Sequence, residues 1–336
     1  MFALLFLLLS LRPVFGGVCD LFASGGTPCV GAFSLTRALY AAYDGPLYTV
    51  LRSTDNATFA VGLLKAGGVA DAASQDTFCA SAPRACVILG IFDQSPQGNH
   101  LAVAPENPHS GKGFDRPCNA TALRASVTGG HAVYGALFQG RMGYRNDTTT
   151  GVATGNNPET IYMVTSGTAS KVNTGCCMDF GNAEKDNTDD GSGTMEALYM
   201  GYGKNNTKWS RGSGSGPWVY ADLENGLWAG NTLPVQESNV PITTPFVTAI
   251  LVGRADGFAL AHGDATRGVL TSLYDGPRPN ANYSPMRLQG GIIIGVGGDN
   301  SGHDIGAFFE GAITKGAATS ATLDAVQKDI VSAGYA

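Results

Sequence analysis

Apolar residues along most of the chain come in short β-branched or aromatic runs bounded by Gly, Asn and Asp, the pattern of strands joined by turns. Such runs occupy residues 47–51, 86–92, 132–138, 160–165, 218–224, 246–252, 258–261, 269–274, 291–296 and 307–313. Asp256-Gly257, between two of them, is a hairpin signal. Two stretches carry a helical period instead. In 33–43, Leu35, Leu39 and Ala42 predict a helix of three turns ending at Asp44-Gly45. In 322–331, Leu323, Val326 and Ile330 predict a closing surface helix. Regular β/α alternation is missing, which counts against parallel α/β architectures. The pattern predicts an all-β protein, a jelly-roll-like β-sandwich with a few short helices. The five-residue patch Gly212-Ser-Gly-Ser-Gly216 directly precedes a strong strand and reads as a tight loop, not a domain boundary.

The first eleven residues, MFALLFLLLSL, differ from the rest. They have the length of a signal-peptide apolar core and fall short of the ~20 residues that span a bilayer. No Lys or Arg precedes them, but Arg12-Pro13 ends the run and small residues follow near Gly16. The expectation is a leader over 1–16 and a mature, secreted, extracellular domain over 17–336 with no membrane anchor. The sequons at Asn56, Asn119, Asn146 and Asn205 agree with export and are the glycosylation candidates; a further one, Asn282-Tyr-Ser284, is followed by Pro285.

Charged residues are only 14% of the 336, against ~25% in an average globular chain. Net charge is −6, which gives no basic footprint for nucleic acid. Seven cysteines stand at 19, 29, 79, 86, 118, 176 and 177. In an exported chain close pairs read as local disulfides, Cys19–Cys29 and Cys79–Cys86. Metal binding competes with that reading, but zinc spacings and H-x-x-x-H are absent, and no metal is expected.

Nucleophilic-serine chemistry is excluded by the lack of G-x-S-x-G. The glycine-rich 295–302 lacks the third glycine of a dinucleotide fingerprint and the lysine of a P-loop, so no cofactor is expected. Carboxylates remain. In a strand over 218–224, alternation puts Tyr220, Asp222 and Glu224 on one face, with Trp209, Trp218 and Trp228 nearby in sequence. Asp299 ends the apolar run of 291–296, where Gly297-Gly298 lets backbone approach a ligand closely. These acids form either a catalytic pair or a solvated edge and an ordinary turn; residue pattern alone leaves both open. Asp93, at another strand end, reads as a turn former.

Longer blocks carry a resemblance. They are Thr36-Arg-Ala-Leu-Tyr40, Ala70-Asp-Ala-Ala-Ser-Gln-Asp-Thr-Phe-Cys79, Phe92-Asp-Gln-Ser95 and Gly98-Asn-His-Leu101. Gly175-Cys-Cys177, Asp179-Phe-Gly-Asn-Ala-Glu184, Met195-Glu-Ala-Leu-Tyr199, Gly216-Pro-Trp218, Asp222-Leu-Glu-Asn225 and Gly295-Val-Gly-Gly-Asp-Asn-Ser301 continue the series. In these the chain resembles the catalytic domain of the fungal α-L-arabinofuranosidase B family, glycoside hydrolase family 54. The resemblance implies a retaining enzyme that removes terminal arabinofuranosyl groups from arabinan or arabinoxylan. It implies Glu224 as nucleophile, Asp299 as general acid/base, and Asp222, Asn225, Trp209 and Gly298 around the sugar. It also implies a Cys176–Cys177 disulfide lying against the arabinose. Three departures stand out. Gly226 replaces an expected asparagine, Cys118 has no counterpart, and the family's C-terminal β-trefoil is not found in 17–336. The expected partner is an arabinose-containing polysaccharide or oligosaccharide met by a monomer. The alternative is a non-catalytic, lectin-like sandwich, which need not keep both Glu224 and Asp299.

Overall fold

The structure is a computed structural model that describes residues 16–105, 115–170, 176–203, 209–302 and 304–336. The expected leader, apart from Gly16, and the sequon at Asn205 lie outside the described residues.

Fully apolar strands need cover on both faces, and here two sheets supply it for each other. The first sheet has six strands, ordered Cys29–Ser34, Glu310–Lys315, Glu159–Thr165, Val247–Arg254, Gly257–Asp264 and Arg267–Pro277. Every residue of Glu159–Thr165 is buried at its centre. The second sheet has ten strands. It runs from Leu227–Trp228 through Trp218–Asp222, Glu196–Gly201, Asp179–Ala183, Gly291–Ile294 and Tyr144–Asn146. It continues through Leu101–Val103, Cys86–Ile91 and Tyr48–Arg52 to Ala57–Val61. All the pairings in both sheets are antiparallel. Phe180 joins the sheets, meeting Phe33 edge-on at 6.2 Å and Phe308 at 5.2 Å. The result is a β-sandwich.

Two expectations need correction. Residues 33–43 form no helix. Cys29–Ser34 is a strand, and the chain then turns, with the Ser34 hydroxyl accepting from the N–H groups of Thr36 and Arg37. The N–H of Leu39 goes to the Gln94 side chain, and that of Ala38 to the Gly68 carbonyl. The apolar period arises because Phe33, Leu35 and Leu39 are buried from several sides, not because one helix face is. The run 307–313 is two strands. Ile305–Phe308 pairs with His131–Gln139, and after Phe309 the chain enters the six-stranded sheet as Glu310–Lys315. One apolar run serves two sheets by bending between them.

The Ala255-Asp256 turn does make the expected hairpin, with Arg254 opposite Gly257. The closing helix spans Ser320–Ser332, capped by Thr319 accepting from the N–H of Thr322. Helices Val18–Ser24 and Ala72–Cys79 carried no helical period strong enough to read.

The closing helix is tied to the sheet by charge. Arg37 donates from Nε and Nη2 to Glu310 at 2.6 and 2.8 Å, and from Nη1 to Asp329 at 2.7 Å. The Tyr335 hydroxyl donates to Glu310 at 2.7 Å. All of these groups are buried.

Disulfides join Cys19 to Cys29, Cys79 to Cys86 and Cys176 to Cys177. Cys118 is free and fully buried, and burial pushes its thiol up to about 12. A thiol so placed is inert and cannot reach another chain.

Candidate active site

A pocket of about 150 Å³ opens at one end of the ten-stranded sheet. A larger groove of about 260 Å³ lies between the closing helix and the outer strands of the other sheet, but its lining is mainly apolar. Chemistry selects the smaller one. Its walls include Asp222, Glu224, Asp299, Asn225, Trp209, Gly298, Cys176 and Cys177, together with Asp189, Met195, Gly226, Gly297 and Ser301. All eight residues singled out in the sequence therefore meet in one pocket.

They arrive from separate elements. Trp218–Asp222 is a strand, but it ends at Asp222, so alternation does not carry Glu224 to the Asp222 face. The carboxylate of Asp222 accepts from the N–H of Glu224 at 3.1 Å, a side-chain turn that reverses the backbone. Glu224 and Asn225 then both take left-handed conformations, with φ of 60° and 56°. A glutamate rarely adopts that backbone, and holding it costs ~1–3 kcal/mol. The turn aims the Glu224 carboxyl into the pocket. Asn225 donates to Asp189 at 2.8 Å, and the Tyr283 hydroxyl donates to the Asn225 carbonyl. Gly226 has no room for a side chain. A Cβ there would stand 2.3 Å from Trp228 Nε1 and 2.8 Å from the Tyr283 hydroxyl. Indole and phenol occupy the space an asparagine would need.

Asp299 comes from the loop after Gly291–Ile294 and is half-buried, with its Oδ1 accepting from the N–H of Ser301 at 2.8 Å. Arg145 holds that loop. It donates to the Gly298 carbonyl at 2.9 Å, to Asn300 at 3.0 Å and to the Glu184 carbonyl at 2.7 Å. Sequence reasoning missed Arg145, which looks like an ordinary polar residue of a short strand.

The disulfide forms one wall. Its sulfurs lie 3.6 and 3.4 Å from Asp222 Oδ2. Cys176, Cys177, Asp179 and Asp222 offer donor atoms within 4.8 Å of one another, the spacing of a metal site. Two of those donors are spent in the S–S bond and supply no thiolate, so the set does not fit a metal.

Electrostatics is the unusual part. Asp222 and Glu224 are 5% and 8% exposed, and Asp179 and Glu184 behind them are fully buried. Burial raises the Asp222 carboxyl to about 7, opposed by the N–H of Glu224 and reinforced by the charges of Glu184 and Asp299. Burial, and then the carboxylates of Glu184, Asp222, Asp189 and Asp299, push Glu224 far above the glutamate range. Burial also raises Asp179 and Glu184. So many acids in so small a volume cannot all be ionised, which is a mark of a functional site and not of a solvated edge. Asp93, by contrast, accepts from the N–H groups of Ala32, Ser95 and Asn99 and is a structural turn residue.

Comparison with known proteins agrees with this geometry. Residues 18–336 match the family described as "Alpha-L-arabinofuranosidase B, catalytic". A probable alpha-L-arabinofuranosidase B of Aspergillus terreus is 48% identical over 328 residues, 96% of this chain and 63% of that one. The alpha-L-arabinofuranosidase B of Aspergillus oryzae is 46% identical over 327 residues, with the same coverage. A GH54 α-L-arabinofuranosidase mutant soaked with 4-nitrophenyl α-L-arabinofuranoside superposes with a TM-score of 0.91 at 42% identity, over 95% of this chain and 66% of that one. An arabinofuranosidase complexed with arabinofuranosyl-α-1,2-xylobiose gives 0.90 at the same identity, over 95% of this chain and 65% of that one. A β-sandwich whose carboxyl-lined pocket closes over a disulfide thus has relatives among the glycosidases. The chain belongs to the alpha-L-arabinofuranosidase B catalytic family. It spans about 63% of the length of the curated relatives it matches.

Proposed function

We propose that the chain is the catalytic domain of a secreted, retaining, exo-acting α-L-arabinofuranosidase that removes terminal arabinofuranosyl groups from plant-wall arabinan or arabinoxylan. The observation that carries the reading is the meeting of Glu224 and Asp299, from different strand ends, in one small pocket with Asp222. A pocket of about 150 Å³ suits one terminal sugar and not the middle of a polymer.

A glycosidic bond breaks through an oxocarbenium-like state, which needs a carboxylate under the anomeric carbon and an acid beside the leaving oxygen. Glu224 attacks the anomeric carbon while Asp299 gives its proton to the departing oxygen. Asp299, now ionised, takes a proton from water, which cleaves the glycosyl ester and restores Glu224. Two inversions give retention. Retaining enzymes hold the two carboxyls roughly 5–5.5 Å apart, and this is the separation expected in a sugar complex. Asp222 and Asn225 bind sugar hydroxyls, and the Cys176–Cys177 bond and Trp209 form apolar walls. The leader over 1–16 is removed on export, 17–336 acts as a monomer, and no cofactor is used.

The test is release of arabinose from 4-nitrophenyl α-L-arabinofuranoside, with the xylopyranoside and β-galactofuranoside as controls. A bell-shaped pH–rate profile and α-configured first product are expected. An inverted product ends the retaining assignment, and no release of arabinose ends the assignment altogether.

A further inference from the structure

Glu184 lines no part of the pocket, yet it is fully buried directly behind it. The Thr194 hydroxyl donates to its Oε1 at 2.5 Å. That hydroxyl is also within donating distance of the Gly191 carbonyl, at 2.7 Å, so its one proton lies between two acceptors. Its other oxygen, Oε2, has no hydrogen-bond donor among the described residues. It points at the nucleophile. A Cβ built on Gly298 would stand 1.8 Å from Glu184 Oε2 and 2.9 Å from Glu224 Oε2, so both carboxyls crowd the space that glycine leaves open. Gly298 therefore does more than let backbone approach a sugar; it lets one carboxyl reach another.

A buried carboxyl oxygen without a donor, set against a second carboxyl, is tolerable only with a proton on one of the two groups. Among the described residues, the groups around the pair supply no alternative. Asp222, Asp189 and Asp299 bring further carboxyl groups to it and no positive charge. The nearby cation, Arg145, spends its Nη donors on main-chain carbonyls and Asn300, and its Nε on Asp147. Building on the arabinofuranosidase reading, we propose that Glu184 is a positioning residue that shares a single proton with Glu224 and keeps it when Glu224 attacks. The balance closes. Before attack the pair carries one proton and one negative charge. Attack converts Glu224 to a neutral ester and leaves Glu184 neutral and protonated, while Asp299 gives its proton to the leaving oxygen and takes on the negative charge. Glu184 then leaves no charge behind the ester.

The variants are Glu184→Gln, which keeps a donor facing Glu224, and Glu184→Leu, which keeps volume but no donor. With 4-nitrophenyl α-L-arabinofuranoside, E184L is expected to lose kcat by about tenfold or more, the worth of one charge-assisted hydrogen bond. Its KM stays near wild type, and the acidic limb of kcat/KM moves to higher pH because Glu224 loses its donor. E184Q restores the limb and most of kcat. A limb that stays in place in E184L, or an E184Q as impaired as E184L, overturns the proposal. Difference infrared spectra decide independently of turnover, which also covers an E184L that fails to fold. Wild type at neutral pH should show a protonated-carboxyl band component that E184Q lacks. A component that survives in E184Q, or one missing from wild type, overturns the shared proton. If wild type does not cleave the arabinofuranoside, the functional reading fails while the infrared result still judges the pair.

Discussion

Two groups of buried acids in this molecule are treated in opposite ways. Glu310 and Asp329, which tie the closing helix to the six-stranded sheet, surround Arg37 and take three of its hydrogen bonds. Asp179, Glu184, Asp222 and Glu224, at the end of the other sheet, have a buried arginine close by as well. Arg145, however, turns its Nη donors to main-chain carbonyls and an asparagine, fixing the shape of the pocket while giving none of these four carboxyls a hydrogen bond. A buried acid paired with a cation is a strut. A buried acid denied one, in a site whose backbone an arginine nevertheless holds rigid, is kept reactive.

The difference is easiest to break at the nucleophile. Glu224→Ala should lower turnover by more than about 10⁴-fold, with folding intact by circular dichroism. Azide should restore activity and give a glycosyl azide of inverted configuration. Rescue of neither Glu224→Ala nor, for good leaving groups, Asp299→Ala would remove the retaining assignment.

At the strut the effect is on stability. Arg37→Leu leaves Glu310 and Asp329 buried without a cation and should cost about 3–5 kcal/mol in urea unfolding. A loss below ~1 kcal/mol would mean that the two clusters are not different in kind.

The pH dependence of stability sharpens the contrast. Asp222 is raised to about 7 in the folded protein, from an unfolded value of ~3.9. The folded state therefore binds the proton more tightly, and stability from this group is full below ~4 and is lost as pH climbs to about 7. Wild type should melt at a higher temperature at pH 5 than at pH 7. Asp222→Asn should flatten that slope and add about 1–3 kcal/mol at pH 7, at the expense of activity. A slope unchanged by the substitution would refute the cause given for it.

The smallest expected effect is at Cys118. Native protein should resist iodoacetamide, and unfolded protein should consume one thiol.

How much of this could be read from sequence depended on how local the cause was. The strands 47–51 and 160–165 were legible because β-branched runs between turn residues have a local reason to extend. The helix expected over 33–43 failed because Leu35 and Leu39 owe their burial to distant segments, and the backbone donors of Ala38 and Leu39 find partners at Gly68 and Gln94. Within the site, Asp222, Glu224 and Asp299 were visible as acids in a charge-poor chain, yet the alternation argument gave the wrong reason for Glu224, which enters the pocket through a left-handed turn. Glu184 and Arg145 were missed as contributors because their meaning lies in a crowding over Gly298 and in bonds to carbonyls far along the chain. The only local signal for Glu184 was a second acid in the block that opens with Asp179.

The order of strands in the six-stranded sheet bears on how the protein is made. Cys29–Ser34 has Glu310–Lys315 as its neighbour, and that same late strand separates it from Glu159–Thr165. On a chain emerging from the ribosome, the first strand and the one that will form the middle of its sheet must both wait, with open edges, until residues 310–315 have been made. So large a sequence separation predicts slow, late-committing folding, on the millisecond-to-second scale or longer. Until then Phe33, destined for the core, lacks its cross-strand neighbour Gly311. Truncation before Glu310 would leave an insoluble nascent chain instead of a smaller domain, because it removes the strand on which two others close.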